Sequence, residues 1–327
     1  MTGGAGYIGA HVVRLLRQRG EEIVVVDDLV TGDERRLDGL AVTQLDLASE
    51  SAADTVAQLM REQRVTSVIH FAGRKQVGES VERPAWYFQQ NVGSLANVLM
   101  AMEQADVKEL VFSSSAAVYG ATEGARIPED ATTAPVNPYG QTKLVGEELI
   151  ESSTQALGLR SVSLRYFNVA GAGWPDLGDS SVLNLVPMVF EKLDADERPV
   201  IFGDDYPTAD GTCIRDYIHV LDLAEAHLAA LDYLRRADSA HDIFNVGTGH
   251  GTSVREMITE ILRVADSKLV PEVQARRAGD PAWVVASPER FEQRLGWKAT
   301  RGVKEIVSSA WASRAGSTRT ADRLPSA

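Results

Sequence analysis

Apolar residues in the first half of the chain alternate between short continuous runs and longer amphipathic stretches. The runs are rich in β-branched residues and predict strands at 22–28, 67–73, 109–115 and 161–167. Helical spacing predicts helices at 9–19, 50–63 and 85–105, and another that begins near Tyr139. Strands that are apolar throughout and alternate with helices indicate a parallel sheet covered by helices on both faces. The pattern therefore predicts an α/β fold with a doubly wound parallel sheet.

The second half of the chain has a different texture. Loop-rich stretches with clustered glycine, proline and aspartate separate helical patterns at 182–194, 220–236 and 252–264. This texture predicts a smaller mixed α/β lobe that contributes loops rather than a layered sheet. We place the first domain at 1–168, the second at 169–312 and a flexible polar tail at 313–327. Segments near 220–245 could pack back onto the first domain.

Composition narrows the class of protein. The chain has 327 residues and a net charge of −13, which argues against a nucleic-acid partner or an anionic membrane surface. No window of the sequence approaches the roughly 18 uncharged apolar residues of a membrane span. The single cysteine, Cys213, fits a reducing cytoplasm. The six histidines have no metal-ligand spacing, so we expect no metal site.

A glycine cluster opens the chain in the sequence MTGGAGYIG. Gly3, Gly6 and Gly9 are spaced as in a dinucleotide-binding loop, which needs glycines for a tight turn and a close approach to a pyrophosphate. Asp27 ends the next predicted strand, about 20 residues later, where a carboxylate binds a ribose 2′-hydroxyl and repels a 2′-phosphate. The two features together favour NAD over NADP as the cofactor.

A loop of this kind normally follows a β-strand. Only Met1 and Thr2 precede the glycines, although the first strand of such a sheet lies centrally and covers much apolar surface. We therefore expect Met1 to occupy the last residue of a strand that starts about five to eight residues upstream. The intact mass of the natively expressed protein would test this expectation.

A serine, a tyrosine and a lysine form the candidate catalytic group. Tyr139 and Lys143 are four residues apart and share one helix face, so the lysine charge could lower the tyrosine pKa and allow it to act as a base. Ser115 ends a predicted strand, and strand carboxyl ends line the ligand crevice of an α/β sheet. The alternatives are an exposed helix pair for the tyrosine and lysine, and a capping turn for Ser113 and Ser114.

Longer local motifs around these residues resemble the UDP-glucose 4-epimerase family of the extended short-chain dehydrogenase/reductase superfamily. The motifs are GGAGYIG, HFAGRKQVGES, FSSSAAVYG, PYGQTK, LRYFNVAGA and TCIRDYIHVLDLAEAH, and the resemblance runs from residue 2 to about residue 312. It implies a Rossmann-type sheet with a nucleotide-sugar-binding lobe. It also implies reversible epimerisation at C4′ of UDP-galactose and UDP-glucose, by transient hydride transfer to tightly bound NAD through a 4-keto intermediate.

The resemblance assigns roles to the candidate residues. Tyr139 would remove the proton from the sugar 4′-hydroxyl, Ser115 would relay it, and Lys143 would bind the nicotinamide ribose and lower the tyrosine pKa. The implied NAD contacts are, beside Tyr139 and Lys143, Gly3, Gly6, Tyr7, Ile8, Gly9, Asp27, Asp28, Leu29, Thr31, Gly32, Asp46, Leu47, Phe71, Ala72, Gly73, Lys75, Asn91, Ser113, Tyr166 and Phe167. The implied substrate contacts are, beside Ser115 and Tyr139, Asn168, Asn184, Leu185, Phe202, Arg215, Arg277 and Asp280. The two arginines would clamp the diphosphate, and the aspartate would bind a uridine-ribose hydroxyl.

Two positions bear on specificity. Asp28 stands where the family often has asparagine, and its charge should further disfavour a 2′-phosphate. Trp283, if it lies over the sugar C2 position, would leave little room for an N-acetyl group. This placement predicts a preference for UDP-glucose and UDP-galactose over their N-acetyl forms.

Two alternatives stay open beside the epimerase. A related nucleotide-sugar dehydratase or decarboxylase is one, although dehydratases carry an acidic residue beside the catalytic serine, where this chain has Ala116 and Ala117. A non-catalytic NAD-binding protein is the other, and it would be expected to lose the tyrosine or the lysine. The apolar faces of the helices at 85–105 and 140–157 are compatible with the four-helix homodimer interface of the family.

Overall fold

The computed structural model describes residues 1–121, 126–236, 240–277 and 279–321. Its strands are β1 (Val25–Asp27), β2 (Val42–Gln44), β3 (Ser67–His70), β4 (Glu109–Ser115), β5 (Arg160–Tyr166), β6 (Asn168–Ala170), β7 (Val200–Phe202), β8 (Ile214–His219), β9 (His241–Val246), β10 (Gly251–Ser253), β11 (Glu272–Gln274) and β12 (Trp283–Val284). Its α-helices are α1 (Tyr7–Gln18), α2 (Ala52–Glu62), α3 (Val77–Glu82), α4 (Pro84–Phe88), α5 (Ser94–Ala105), α6 (Pro138–Leu157), α7 (Leu185–Asp194), α8 (Val220–Leu234), α9 (Val254–Val264), α10 (Glu289–Leu295) and α11 (Val303–Ala321). A π-helical turn, Gln89–Gly93, joins α4 to α5, so the helix predicted at 85–105 is continuous but locally widened.

A parallel sheet forms the centre of the first domain. β3, β4, β5 and β9 are neighbours in that order, and β1 pairs in parallel with β2. Residues 1–3 join the two groups, because Thr2 pairs in parallel with both Val26 and His70. The N–H of Gly3 donates to Val26 O at 2.8 Å, and the N–H of Thr2 donates to Ile69 O at 3.0 Å. Residues 1–3 therefore lie as strand residues between β1 and β3, and the strand expected upstream of Met1 stays a prediction.

Helices cover both faces of this sheet. α1 and α8 pack on one face, in a core that includes Val12 and Phe244. α2, α5 and α6 cover the other face, around Leu99 and other buried residues. Leu110 and Val111 are consecutive residues of β4, are fully buried and belong to opposite cores, because successive side chains of a strand point to opposite faces. The predicted doubly wound α/β fold is confirmed.

The chain leaves this sheet after β5 and returns to it with α8 and β9. β9 pairs in parallel with β5, from Ser161 opposite His241 to Tyr166 opposite Val246. The segments near 220–245 thus lie on the first domain. The domain boundaries at 168 and 312 stay predictions.

The second lobe contains small sheets of its own. β8 pairs with β6, β10 and β12, and β7 pairs with β11. α7, α9 and α11 enclose a separate core around Phe190, Met257 and Ile306. The predicted smaller mixed α/β lobe is therefore confirmed, and its short strands form small sheets that the loop-rich sequence did not predict. Strands as short as β12, with 2 residues, give no periodic signal in the sequence.

The C-terminal helix extends beyond the predicted end of the second domain. α11 continues to Ala321, so residues 313–321 belong to a helix, and the flexible tail at 313–327 stays a prediction. The hydroxyl of Ser313 is buried and donates to Ala310 O at 2.8 Å. Arg314 pairs with Asp194 of α7 and lies over the ring of Trp311 at 4.2 Å. These contacts explain why a polar sequence is held in a helix, and residues 322–327 lie outside the described residues.

Membrane-spanning helices and metal-ligand clusters are both absent from the described residues. None of the helices in these ranges is long and apolar enough to cross a membrane. The same ranges hold no group of three or more histidine, cysteine, aspartate or glutamate side chains arranged for a metal ion. Cys213 is buried.

Candidate active site

The glycine loop lies where β1, residues 1–3 and β3 end. Gly3 has a φ of +67°, and a Cβ there would lie 2.6 Å from Ala72 N. A Cβ on Gly9 would lie 2.3 Å from the carbonyl oxygen of Gly3. α1 begins directly after Gly6, and no side chain caps its N-terminus. The loop therefore excludes side chains and presents the first N–H groups of α1, which is the arrangement that binds a pyrophosphate.

Asp27 lies beside this loop at the end of β1. Its Oδ2 accepts a hydrogen bond from Ala5 N at 2.9 Å, and its Oδ1 accepts one from Leu29 N at 3.0 Å. Burial raises the pKa of Asp27, and the two hydrogen bonds lower it in part. A Cβ on Gly32 would lie 2.6 Å from Asp27 Oδ1, so the glycine lets the loop close on the carboxylate. A fixed carboxylate beside a glycine cradle fits a dinucleotide.

Ser115 and Tyr139 meet at the carboxyl end of β4. β4 ends at Ser115, and α6 begins at Pro138 with Asn137 as its N-cap. The side-chain oxygen of Asn137 accepts from Gly140 N at 2.9 Å and fixes the first turn, which contains Tyr139. The side chain of Ser115 lies near the Tyr139 phenol and lowers its pKa in part. Residues far apart in the sequence thus meet at one place.

Lys143 lies one turn further along α6. Its Nζ donates to Ser113 O at 2.7 Å, and burial lowers its pKa to about 8. Burial raises the pKa of Tyr139, and Ser115 only partly opposes this. The lowering of the tyrosine pKa by Lys143 stays a prediction. A tyrosine base at neutral pH requires further positive charge beside the phenol.

The uncharged side chains of Tyr166, His227 and Phe71 contact one another near Lys143. Nδ1–H of His227 donates to Leu223 O at 2.8 Å, so its Nε2 accepts from the Tyr166 hydroxyl. Burial lowers the pKa of His227 to about 4, which keeps the imidazole neutral at physiological pH. The ring centroid of Phe71 lies 4.6 Å from that of His227. Tyr166 lies beside Ser113, whose carbonyl oxygen accepts from Lys143 Nζ.

A buried ion pair supports the end of β4, and the sequence analysis did not identify it. Nη2 of Arg165 lies 2.6 Å from Glu147 Oε2, and the two side chains are 4% and 3% exposed. Glu147 Oε1 accepts from Ser114 Oγ at 2.5 Å, and Arg165 Nη1 donates to the Tyr119 hydroxyl at 2.9 Å. The Tyr119 hydroxyl donates to Asn245 Oδ1 at 2.7 Å. This network links α6, β4, β5 and β9 directly behind Ser115.

Asn91 holds the loop after β3. Its Oδ1 accepts from Arg74 N at 2.7 Å, and its Nδ2 donates to Arg74 O at 3.0 Å and to Thr142 Oγ1 at 2.9 Å. A Cβ on Gly73 would lie 3.2 Å from Asn91 Oδ1 and 3.8 Å from Lys143 Nζ. The π-helical turn therefore places Asn91 between the loop and α6, as π-bulges often do at functional sites.

The second lobe contains the two predicted arginines. Nη2 of Arg215 donates to Asp280 Oδ1 at 3.0 Å, and the arginine side chain is only 12% exposed. The guanidinium of Arg277 lies 3.9 Å from the ring centroid of Phe202. Trp283 of β12 pairs with Ile214 of β8, the residue that precedes Arg215. The N–H of Asp280 donates to Arg277 O at 3.4 Å, so the partner of Arg215 lies in the same turn as Arg277.

The remaining predicted contacts surround these groups. Asn184 is the N-cap of α7 and donates to Asp179 Oδ2 at 3.1 Å. The hydroxyl of Tyr7 donates to Gly171 O at 2.5 Å and ties α1 to the loop after β6. Lys75, Asn168 and Asp46 are exposed. The roles of Lys75 and Asp46 at NAD and of Asn168 at the substrate stay predictions.

The chain is similar to known proteins over most of its length. The NAD dependent epimerase/dehydratase family model matches residues 1–247. The chain is 42% identical over 316 residues to a UDP-glucose 4-epimerase of Halalkalibacterium halodurans, which covers 95% of this chain and 93% of the relative.

Solved structures agree with the sequence comparison. A UDP-glucose 4-epimerase from Stenotrophomonas maltophila with bound NAD and formylated UDP-arabinopyranose superposes with a TM-score of 0.91 at 37% identity, covering 98% of both chains. One from Bifidobacterium longum in complex with NAD+ and UDP gives a TM-score of 0.88 at 34% identity, covering 97% of this chain and 98% of that one. The chain therefore belongs to the NAD dependent epimerase/dehydratase family, and its near relatives are UDP-glucose 4-epimerases, as its motifs indicate.

Proposed function

We propose that this protein is an NAD-dependent isomerase that interconverts UDP-galactose and UDP-glucose by inverting C4 of the sugar. The observation that carries the proposal is the meeting of Ser115, at the end of β4, with Tyr139 and Lys143 in the first turns of α6, at the sheet edge that carries the glycine cradle. The UDP-glucose 4-epimerase relatives, similar over nearly the full chain, support the substrate class. The reaction consumes neither cofactor nor co-substrate, so one bound cofactor serves many turnovers.

The chemistry divides among three side chains. Tyr139 takes the proton from the 4′-hydroxyl, and Ser115 hydrogen-bonds the same hydroxyl and relays the proton. NAD, when bound, supplies reversible oxidation and reduction at C4 of the sugar. Lys143 holds positive charge beside the phenol, which the raised tyrosine pKa requires. The sugar passes through a 4-keto form and is reduced on its opposite face.

The cofactor would lie along the carboxyl edge of the sheet. The loop containing Gly3, Gly6 and Gly9 would receive the pyrophosphate, and Asp27 would bind the adenosine ribose. The segment from Phe71 to Gly73 packs against both the glycine loop and Lys143, which suits the nicotinamide side. We include Tyr7, Asp46 and Asn91 among the contacts on the strength of the family resemblance.

The nucleotide part of the substrate would bind to the second lobe. Arg215 and Arg277 would neutralise the diphosphate, which an acidic protein needs local cations to bind. Asp280, already held by Arg215, is placed to accept a uridine-ribose hydroxyl. Asn184 and Phe202 complete this surface in the proposal.

A homodimer is proposed through α5 and α6. Met100 is 45% exposed on α5, with Ala96 one turn before it, and α6 packs beside α5. Two copies would bury these faces as a four-helix bundle. Analytical ultracentrifugation of the unmodified protein should give twice the mass of one chain. The Met100→Glu variant should give a lower mass, because it places a charge in the proposed interface. The single buried thiol fits the cytoplasm as the proposed location.

Deuterium at C4 of UDP-galactose tests the proposed reaction. Because the bound cofactor returns what it removes, the UDP-glucose product should keep deuterium at C4. Tyr139→Phe should lose this conversion while it still binds UDP and NAD. A dehydrated 4-keto product would favour the dehydratase alternative, and bound NAD without any conversion would favour a non-catalytic protein.

A further inference from the structure

An ion pair joins two loops at the carboxyl edge of the sheet. Nη2 of Arg74 lies 2.5 Å from Oδ2 of Asp28, and the two side chains are 17% and 25% exposed. Asp28 directly follows β1, and Arg74 follows Gly73 in the loop after β3. The family resemblance assigns no role to Arg74.

The ion pair spans the width of one intervening strand. β1 and β3 are not neighbours, because residues 1–3 lie between them and pair with both. Two strand spacings amount to about 10 Å. The ion pair therefore passes over the end of residues 1–3, where the glycine loop begins and where a dinucleotide would bind.

Both ends of the pair are held in place. The backbone of Arg74 is fixed by Asn91, and its guanidinium donates to Gln90 Oε1 at 3.1 Å and lies 5.5 Å from the ring centroid of Trp86. The Oδ1 of Asp28 accepts from Val30 N at 3.0 Å. The bridge is therefore pre-organised and partly shielded, unlike a mobile surface ion pair.

We propose that the Asp28–Arg74 pair is a strap across the cofactor cleft that slows release of NAD. The inference rests on the proposed NAD site, since Asp27 next to the strap is the proposed ribose ligand. A cofactor beneath the strap leaves only when the pair opens. Because the pair is electrostatic and partly exposed, high salt opens it more often.

The rate of NAD release tests the strap. Purified holoprotein is mixed with an excess of a fluorescent NAD analogue, and exchange is followed over time. Arg74→Leu and Asp28→Asn should each speed release by about tenfold, as loss of a charge-assisted hydrogen bond does. The double variant should release NAD no faster than either single variant, because both remove one interaction. Salt should speed release in the unmodified protein only.

Matched variants complete the test. Arg126→Leu removes an exposed pair with Glu289, whose nitrogen–oxygen distance is 2.8 Å, and should leave release unchanged. Arg74→Lys should restore slow release in part, which confirms that charge acts rather than fold. Unchanged release in both Arg74→Leu and Asp28→Asn overturns the strap, as does acceleration in only one of them. A protein that holds no NAD at all would instead contradict the proposed function.

Discussion

The side chain of Lys143 is buried beside the candidate base, and its protonation sets the charge there. Burial lowers its pKa to about 8, so the lysine is charged below that pH and neutral above it. Loss of this charge makes the tyrosine harder to ionise. We predict that kcat falls as the pH rises above about 8. In Lys143→Arg, whose guanidinium stays charged, the fall should move to higher pH. Identical pH profiles for the two proteins would contradict this role.

The same residues show what a sequence can reveal at this scale. Ser115, Tyr139 and Lys143 were predicted because strand ends and helix faces determine where each side chain lies. The upward shift of the Tyr139 pKa was not predicted, because it depends on burial by distant residues. Glu147 and Arg165 were missed for the same reason: their partners are 18 residues apart and carry no short motif.

At the scale of elements, the buried pair between α6 and β5 should carry much of the site's rigidity. Glu147→Ala leaves the guanidinium of Arg165 buried and unpaired, which costs about 3–5 kcal/mol of unfolding free energy. Glu289→Ala breaks an ion pair whose carboxylate side chain is 49% exposed, and should cost about 0–1 kcal/mol. Urea unfolding of both variants measures the difference. Equal losses would show that the network behind Ser115 adds no special stability.

The junction of β3 with the glycine loop gives a second element-scale prediction. Gly3→Ala places a Cβ 2.6 Å from Ala72 N at a positive φ, so the loop must shift. The variant should retain little NAD after purification. Gly78→Ala in α3 meets no atom within 4 Å and should retain NAD as the unmodified protein does. The NAD content of each purified variant is measured after denaturation. Full retention of NAD by Gly3→Ala would contradict the proposed glycine cradle.

Element predictions from the sequence succeeded where periodicity is long and failed where it is short. β4 was predicted with the bounds 109–115, because its apolar residues Leu110, Val111 and Phe112 lead into three serines at the strand end. The strands β6, β7, β10 and β11 of the second lobe were missed because they have 3 residues each. β8 has 6 residues but was missed because its sequence, IRDYIH, mixes charged with apolar residues.

For the whole molecule, neutral buried histidines set the acid limit of stability. Burial lowers the pKa of His11, His219 and His227 to about 4 and that of His70 to about 3, from an unperturbed value of 6.5. Between these values the unfolded chain binds protons that the folded chain does not. Stability is therefore complete above pH 6.5 and is lost as the pH falls towards 4.

Thermal unfolding at a series of pH values checks this. The melting temperature should fall steeply below about pH 6.5. His227→Gln can keep both hydrogen bonds without a titrating ring, so its decline should be shallower. His250→Gln, at an exposed position, should decline like the unmodified protein. A melting temperature independent of pH in this window would contradict the account.

The central claim is that this protein, with its own bound NAD, inverts C4 of a UDP-sugar. Proton NMR of UDP-galactose mixed with the purified protein, without added cofactor, tests this claim most directly. We predict that UDP-glucose appears until an equilibrium mixture forms, and that the same mixture forms from UDP-glucose. Unchanged UDP-galactose, from protein shown to contain bound NAD, would contradict the claim.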